Sequence, residues 1–128
     1  MASLDVTGVL AGVPVRDMDV AVGWYTALFG RRPDARPMPS LADWTLGGSA
    51  TVQVVHDPAR AGGGLLTLQV DDLDDVCSVL LRRGVELARH EGSELVRIGS
   101  ISDPDGNGLT LIEAREGFDP HAPAQVSP

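Results

Sequence analysis

The chain has 128 residues, 43% hydrophobic and 22% charged, the size and composition of one ordinary domain able to bury a core. Its 18 acidic residues against 10 basic ones leave a formal charge of −8, which excludes a nucleic-acid backbone as partner, since phosphate binding needs clustered Lys and Arg. A single cysteine, Cys77, fits a reducing compartment, and with no basic-then-apolar leader and no apolar run near ~18 residues neither export nor membrane insertion is expected; the cytoplasm is the expected location.

In chain order, residues 8–15 alternate as a strand, and Pro14, which lacks a backbone donor, places it at a sheet edge or a bulge. Asp17 is suited to cap the next segment, where Met18, Ala21, Val22, Tyr25, Leu28 and Phe29 fall at steps of three and four. That stripe predicts a helix that stops at Gly30. Pro33, Pro37 and Pro39 mark an irregular connection, and strands are expected near 41–47 and 50–56, joined by a turn at Gly47-Gly48-Ser49. Residues 60–64 link to a strand at 65–70. Asp72 then caps a helix with Leu73, Val76, Cys77 and Leu80 on one face, ended by Gly84. Cys77 on that apolar face reads as a buried, unreactive thiol. Strands near 85–90, 94–102 and 108–114 complete this half, with Asp103-Pro-Asp-Gly-Asn107 as a tight turn before the last. Residues 119–128, with three prolines, read as a flexible tail.

The chain repeats itself with a shift of 55 residues: Leu10 to Asp19 and Leu65 to Asp74 are each a short apolar strand running into a capping aspartate. Each half is one strand, one helix and two or three more strands, so the expected class is α+β with two small mixed sheets, helices on their outer faces, around a shared cavity. Parity puts Val9, Val13, Val15, Val52, Val54, Leu66, Leu68, Val70, Leu109 and Leu111 under the helices. Leu10, Gly12, Thr51, Gln53, Val55, Leu65, Thr67, Gln69, Thr110 and Ile112 then face the cavity, an apolar wall with a few neutral hydrogen-bonding groups. Trp44 and Arg97, on strands crossing the mouth, are expected to add stacking and a charge. No nucleophile–base spacing or phosphate-binding glycine loop is present.

The run Asp17-Met-Asp-Val-Ala-Val-Gly-Trp-Tyr-Thr-Ala-Leu-Phe-Gly30, together with Ile101-Ser-Asp-Pro-Asp-Gly-Asn-Gly-Leu-Thr-Leu-Ile-Glu113, resembles the vicinal-oxygen-chelate superfamily. That group includes glyoxalase I, extradiol dioxygenases and bleomycin-resistance proteins. The resemblance spans residues 6–115 and implies two βαβββ modules pairing into an open, curled mixed sheet, the glyoxalase/bleomycin-resistance fold. One domain over 1–118 is expected, with modules at about 6–58 and 63–116.

Catalytic members of the superfamily hold a divalent metal with His and Glu from four strands. The matching positions here are Leu10, Gln53, Leu65 and Thr110, and no histidine or carboxylate stands at any of them. A one-residue slip of register substitutes only Ala11, Val52 or Val54, Leu66, and Leu109 or Leu111. The acidic turn at Asp103 and Asp105 lacks the remaining ligands of a calcium loop. His56 and His90, with a carboxylate such as Glu91 or Glu94, leave a relocated metal site open; His121 belongs to the tail, and Glu113 has the parity that faces away from the cavity.

The reading is a metal-free, cofactor-free binder of a small organic molecule, similar to the antibiotic-sequestering bleomycin-resistance branch, with no assigned catalytic residue. Its rival is an enzyme (lyase, isomerase or dioxygenase) with a displaced metal or acid–base groups such as Glu113, His56 or Arg97. A third reading is a remnant fold serving as an interaction module. The resemblance also implies a C2 homodimer completing two cavities, with Trp24, Trp44 and the proline-rich connection as candidates for the contact. The ligand's identity is not written in the sequence.

Overall fold

Two aspartates start the two helices. In the computed structural model, which describes residues 4–93 and 95–114, Asp17 accepts the Val20 N–H at 3.2 Å to open helix α1 (Met18–Phe29), and Asp72 accepts the Asp75 N–H at 3.0 Å to open α2 (Leu73–Arg82). Gly30 stops α1 with a φ of 75° and binds the Thr26 carbonyl. A side chain at Gly30 is strained by this φ, and its Cβ, 2.6 Å from the Arg83 guanidinium, would also displace the end of that side chain.

The strands are β1 (Leu10–Val15), β2 (Leu41–Thr45), β3 (Thr51–His56), β4 (Leu65–Val70), β5 (Ala88–His90), β6 (Val96–Ser102) and β7 (Gly108–Ala114). They form two open sheets, ordered β1-β3-β2 and β4-β7-β6-β5. β1 pairs parallel to β3, and β4 parallel to β7; the other pairings are antiparallel. Strands β1 and β4 begin 55 residues apart, as do α1 and α2, so the sequence repeat is a repeat of structure. β1 and β4 are each an edge strand and lie beside one another, which is where Pro14 is tolerated.

The first half has three strands where the resemblance implied four. Residues 31–40 contribute one isolated bridge, Ala35 to Asp43, in place of a strand. Prolines at 33, 37 and 39 remove the donors that a continuous ladder needs. In the second half the fifth strand is also shorter than the 85–90 read from the sequence, because Val85 turns into the core with 3% exposure. The expected tail, 119–128, lies outside the described residues.

Burial follows strand parity. Val13, Val15, Ala42, Trp44, Val52 and Val54 pack beneath α1, and Leu66, Leu109 and Leu111 beneath α2. Val9 departs from its expected place: it precedes β1 and is exposed. Trp24, Tyr25, Phe29 and Trp44 form one aromatic cluster with ring centroids 4.8–6.1 Å apart, whereas the second half is cored by aliphatic side chains.

The turn at Asp103–Asn107 joins the halves. Buried Asp103 accepts four hydrogen bonds: the N–H groups of Asp105 and Asn107 at 2.9 Å, the Asn107 amide at 2.7 Å, and the Tyr25 hydroxyl of α1 at 2.7 Å. Asn107, 1% exposed, accepts from Gly64 N–H and donates to the Pro14 carbonyl of β1, both at 2.7 Å. Arg16 N–H reaches Asp105 at 3.2 Å. Among the described residues no buried side-chain polar atom lacks a partner.

Burial, then the hydrogen bond and charge of Asp103, push the Tyr25 phenol far above its ordinary range. Its neutral form is therefore favoured by folding: that contribution is complete below pH ~10 and is lost as pH rises toward the folded value. Tyr25 is the only tyrosine. An alkaline titration should show no tyrosinate absorbance from the folded chain at pH ~10, only absorbance that appears together with loss of circular dichroism. Tyr25→Phe should cost about 1.5–3 kcal/mol in denaturant unfolding, since it removes a buried donor from a carboxylate.

Candidate functional site

On the face of each sheet turned away from the helices, the strand registers line up two equivalent sets of rows. In the first half, Leu10 stands beside Thr51 and Thr45, Gly12 beside Gln53 and Asp43, and Pro14 beside Val55 and Leu41. In the second, Leu65 stands beside Gly108 and Ser102, Thr67 beside Thr110, Ser100 and Ala88, and Gln69 beside Ile112, Ile98 and His90. Leu10 and Leu65 occupy equivalent places, and so do Gln53 and Thr110. Each leucine is one diagonal step from its partner on the neighbouring strand.

The middle row of each half carries the polar groups. Gln53 donates its amide N–H to Asp43 at 2.9 Å. Its carbonyl and second amide hydrogen stay available to a ligand. In the other half, Thr67, Thr110 and Ser100 set three hydroxyls across three adjacent strands, and His90 Nε2 hydrogen-bonds the Ser100 hydroxyl. Apolar Val55, Leu41, Ile112 and Ile98 flank these rows, giving an apolar surface with a narrow polar band.

Two residues expected here belong to the other side. Trp44 is fully buried beneath α1, its indole N–H donating to the Arg31 carbonyl at 3.0 Å. It pairs with Val52, so it shares the helix-covered face, and it cannot line the cavity mouth or a subunit contact. Arg97 pairs with Glu113, again on the helix side, and reaches Asp74 of α2 at 2.9 Å. Hydrogen bonds from Arg89 and Arg97 hold the Asp74 carboxyl below its ordinary range. Glu113 faces away from the cavity, as its parity required, and accepts the Leu73 N–H at 2.8 Å at the start of α2.

Within the chain the remaining eight candidates do not meet in a single cavity. Leu65 and Thr110 share a hollow of about 500 Å³ with Ser100 and Ala88. Thr67 joins Thr51 around the β1–β4 seam, in an open hollow of about 760 Å³. Gln69, although its parity is that of the strand face, borders a cavity between the helices. Leu10, Gln53 and Val55 stand on the open face of the first half, and Ile112 on that of the second.

Sequence reasoning passed over Asp43, and Ser100 with His90 as a pair. Asp43 follows from the burial of Trp44, which turns its neighbour to the opposite face, but that burial is decided by the pairing of Trp44 with Val52. The Ser100–His90 contact depends on the β5–β6 pairing, which a three-residue strand does not announce.

At the four metal-ligand positions implied by the family, Leu10 and Leu65 offer no donor atom, and Gln53 and Thr110 offer weak neutral oxygens, so these residues do not fit a first-row divalent ion. Among the described residues no three His, Cys, Asp or Glu stand close enough to hold a metal. The relocated site from His56 and His90 is not assembled: His56 lies beside Arg16, Asp17 and Asp19 at the start of α1, while His90 lies on β5 at the far edge of the other sheet. Glu94 and His121 fall outside the described residues. No helix among them is long and apolar enough to cross a membrane.

Known proteins agree with this architecture. A glyoxalase/bleomycin resistance protein from Catenulispora acidiphila is 36% identical, covering 84% of this chain and 98% of its own, with a TM-score of 0.80. TnmS3, an antibiotic binding protein from Streptomyces sp. CB03234, is 28% identical over 90% of this chain and 99% of its own, with a TM-score of 0.70. A bleomycin-binding protein solved with bleomycin shares the fold at 20% identity, covering 86% of this chain and all of its own, with a TM-score of 0.69. No curated protein matches the sequence. The model of the Glyoxalase/Bleomycin resistance protein/Dioxygenase superfamily matches residues 6–111, and the chain belongs to that superfamily.

Proposed function

We propose that this chain is a metal-independent binding protein that sequesters a small organic molecule, an antibiotic or another metabolite, against the helix-free face of its sheets. The observation that carries the reading is the composition of that face. Where metal-dependent relatives carry ligands, this chain has two leucines, a glutamine and a threonine, set among apolar side chains and a band of neutral hydrogen-bonding groups. Similarity to an antibiotic binding protein supports the same direction. The single cysteine fits a cytoplasmic setting.

The reading includes a C2 homodimer. Leu10 is 54% and Leu65 90% exposed on this face, with Val6 and Val9 exposed nearby. Such a surface is costly to leave in water, and a second copy related by a two-fold axis would set one half's face against the other's and enclose two equivalent cavities. Asp43 with Gln53 would then orient a ligand from one side, and Thr110 with Ser100 and His90 from the other. One contact favours the enzyme alternative, the His90–Ser100 hydrogen bond, which resembles a base beside a hydroxyl.

Elemental analysis of purified protein should find no stoichiometric Fe, Mn, Ni or Zn; a bound metal lost together with stability on chelation would overturn the reading. The quadruple variant Leu10→His, Gln53→Glu, Leu65→His, Thr110→Glu should gain divalent-metal binding, measurable by calorimetry, that the natural chain lacks. For ligands found by a thermal-shift screen of natural products, Gln53→Ala should weaken binding by about 1–3 kcal/mol while changing the unfolding midpoint less. Ser100→Ala should lower affinity, and the natural chain should release its ligand unchanged; product formation that stops in Ser100→Ala and His90→Gln would establish the enzyme reading instead. Sedimentation should report a dimer at micromolar concentration; a monomer would remove the enclosed cavity.

A further inference from the structure

A second cavity lies on the opposite side of the sheets, in the cleft between α1 and α2. It measures about 400 Å³, within the size range of small-molecule sites. The two helices do not pack on each other there. Leu28, Leu80 and Leu111 are buried along it, and Phe29, Leu68, Val76 and Val79 are only half-buried around it. Both halves of the molecule therefore contribute apolar wall to one space.

Charge is unevenly placed around this cleft. Val76 is followed by Val79 and Leu80, three and four residues on, and Arg83 at the end of α2 lies four and three beyond those, so the four share one helix face and the cavity runs with the helix axis. Asp75 stands at one end and Arg83 at the other, eight residues or about 12 Å apart along the helix. The Arg83 guanidinium lies flat against Gly30, where a Cβ would come within 2.6–2.7 Å of Nη1, Cζ and Nη2. Its contacts to the Ala27 and Leu28 carbonyls at the end of α1 are long, 3.4 and 3.5 Å, and both use Nη1. No ion pair involves Arg83 among the described residues. A positioned cation with unused donors thus closes one end of an apolar slot.

We propose that this cleft is a second ligand site, for an elongated apolar molecule ending in a single carboxylate, with the carboxylate on Arg83 and the hydrocarbon along Val76, Val79 and Leu68. The apolar portion supplies affinity by covering the half-buried side chains. Arg83 sets polarity through charge-assisted hydrogen bonds, and Asp75 at the far end repels the reversed orientation. The cleft shares Leu46 and Leu68 with the seam hollow and Gln69 with the strand face, while Leu28, Val76, Val79, Leu80 and Arg83 belong to it and not to that hollow, so responses at Val76, Val79 and Arg83 distinguish it from the function proposed above.

The test uses decanoate and decanol as probes on the full chain, followed by methyl and amide NMR. Decanoate should bind saturably and shift the methyl signals of Leu68, Val76 and Val79, leaving Gln53 and Thr110 unmoved. Arg83→Gln should weaken decanoate about tenfold and leave decanol unchanged, with partial recovery in Arg83→Lys. Val79→Trp, checked for retained circular dichroism, should abolish binding of both. Absence of saturable binding, shifts confined to the helix-free face, or equal weakening of decanoate and decanol by Arg83→Gln would overturn the proposal. Methyl shifts that follow protein concentration instead of decanoate would assign the cleft to a second copy of the chain and overturn it as well.

Discussion

Two small sheets with open edges have no reason of their own to hold a fixed relation, and here that relation rests on one buried carboxylate. Asp103 draws the Tyr25 hydroxyl of the first half and the Asn107 side-chain amide of the second onto one oxygen, Oδ2, while Oδ1 accepts the Asp105 and Asn107 backbone N–H groups. Asn107 in turn ties β1 through Pro14 and the interhalf link through Gly64. The approach is close enough that a Cβ on Gly64 would lie 2.8 Å from the Asn107 side-chain oxygen. Burying a carboxylate is tolerable only when its lone pairs are taken up, and four donors do so here. The same fact makes the junction intolerant of partial loss, since each missing donor leaves buried polarity uncompensated.

This junction decides what each side of the molecule can do. With β1 and β4 set side by side, the helices stand on one face and leave a cleft between them, while the other face carries the strands of both sheets with an open hollow at the β1–β4 seam. Charged side chains are concentrated on the helix side: Arg89 and Arg97 converge on Asp74, and Glu113 serves the first turn of α2. Among the described residues the paired rows of the strand face carry leucines and other apolar side chains, Gln53 and Gln69, hydroxyls, the Asp43 carboxylate and the His90 imidazole. A shared fold does not fix chemistry, and the composition of this face is what the proposed function rests on.

The repeat, both helices with their caps, the edge position of Pro14 and the parity of β1, β3, β4 and β7 could all be read from the residues. Those features are local: capping side chains, helical spacing and two-residue alternation act within a few positions of the chain. The superfamily was legible for the same reason, because the Leu-Phe-Gly30 helix end and the Asp103–Asn107 turn are contiguous motifs. The loss of metal donors at Leu10, Gln53, Leu65 and Thr110 followed once those motifs fixed the alignment.

What only the tertiary structure decided is which residues of β2, β5 and β6 face which way. Trp44 lies in an alternating strand, Leu-Ala-Asp-Trp-Thr, whose two faces differ little in hydropathy, so only its pairing with Val52 sends the indole inward and Asp43 outward. Arg97 lies in Val-Arg-Ile-Gly-Ser-Ile-Ser, where no face is clearly apolar, and its side was set by Glu113 across the strand and Asp74 on the helix. The Ser100–His90 contact and the Arg83–Gly30 contact join residues 10 and 53 positions apart. The sequence by itself determined the elements and their caps, because local physics writes those into neighbouring residues, and through the family motifs it showed that Leu10, Gln53, Leu65 and Thr110 stand at the four ligand positions. Register between strands and the meeting of the two halves were settled by long-range pairing, which has no signature within a single segment.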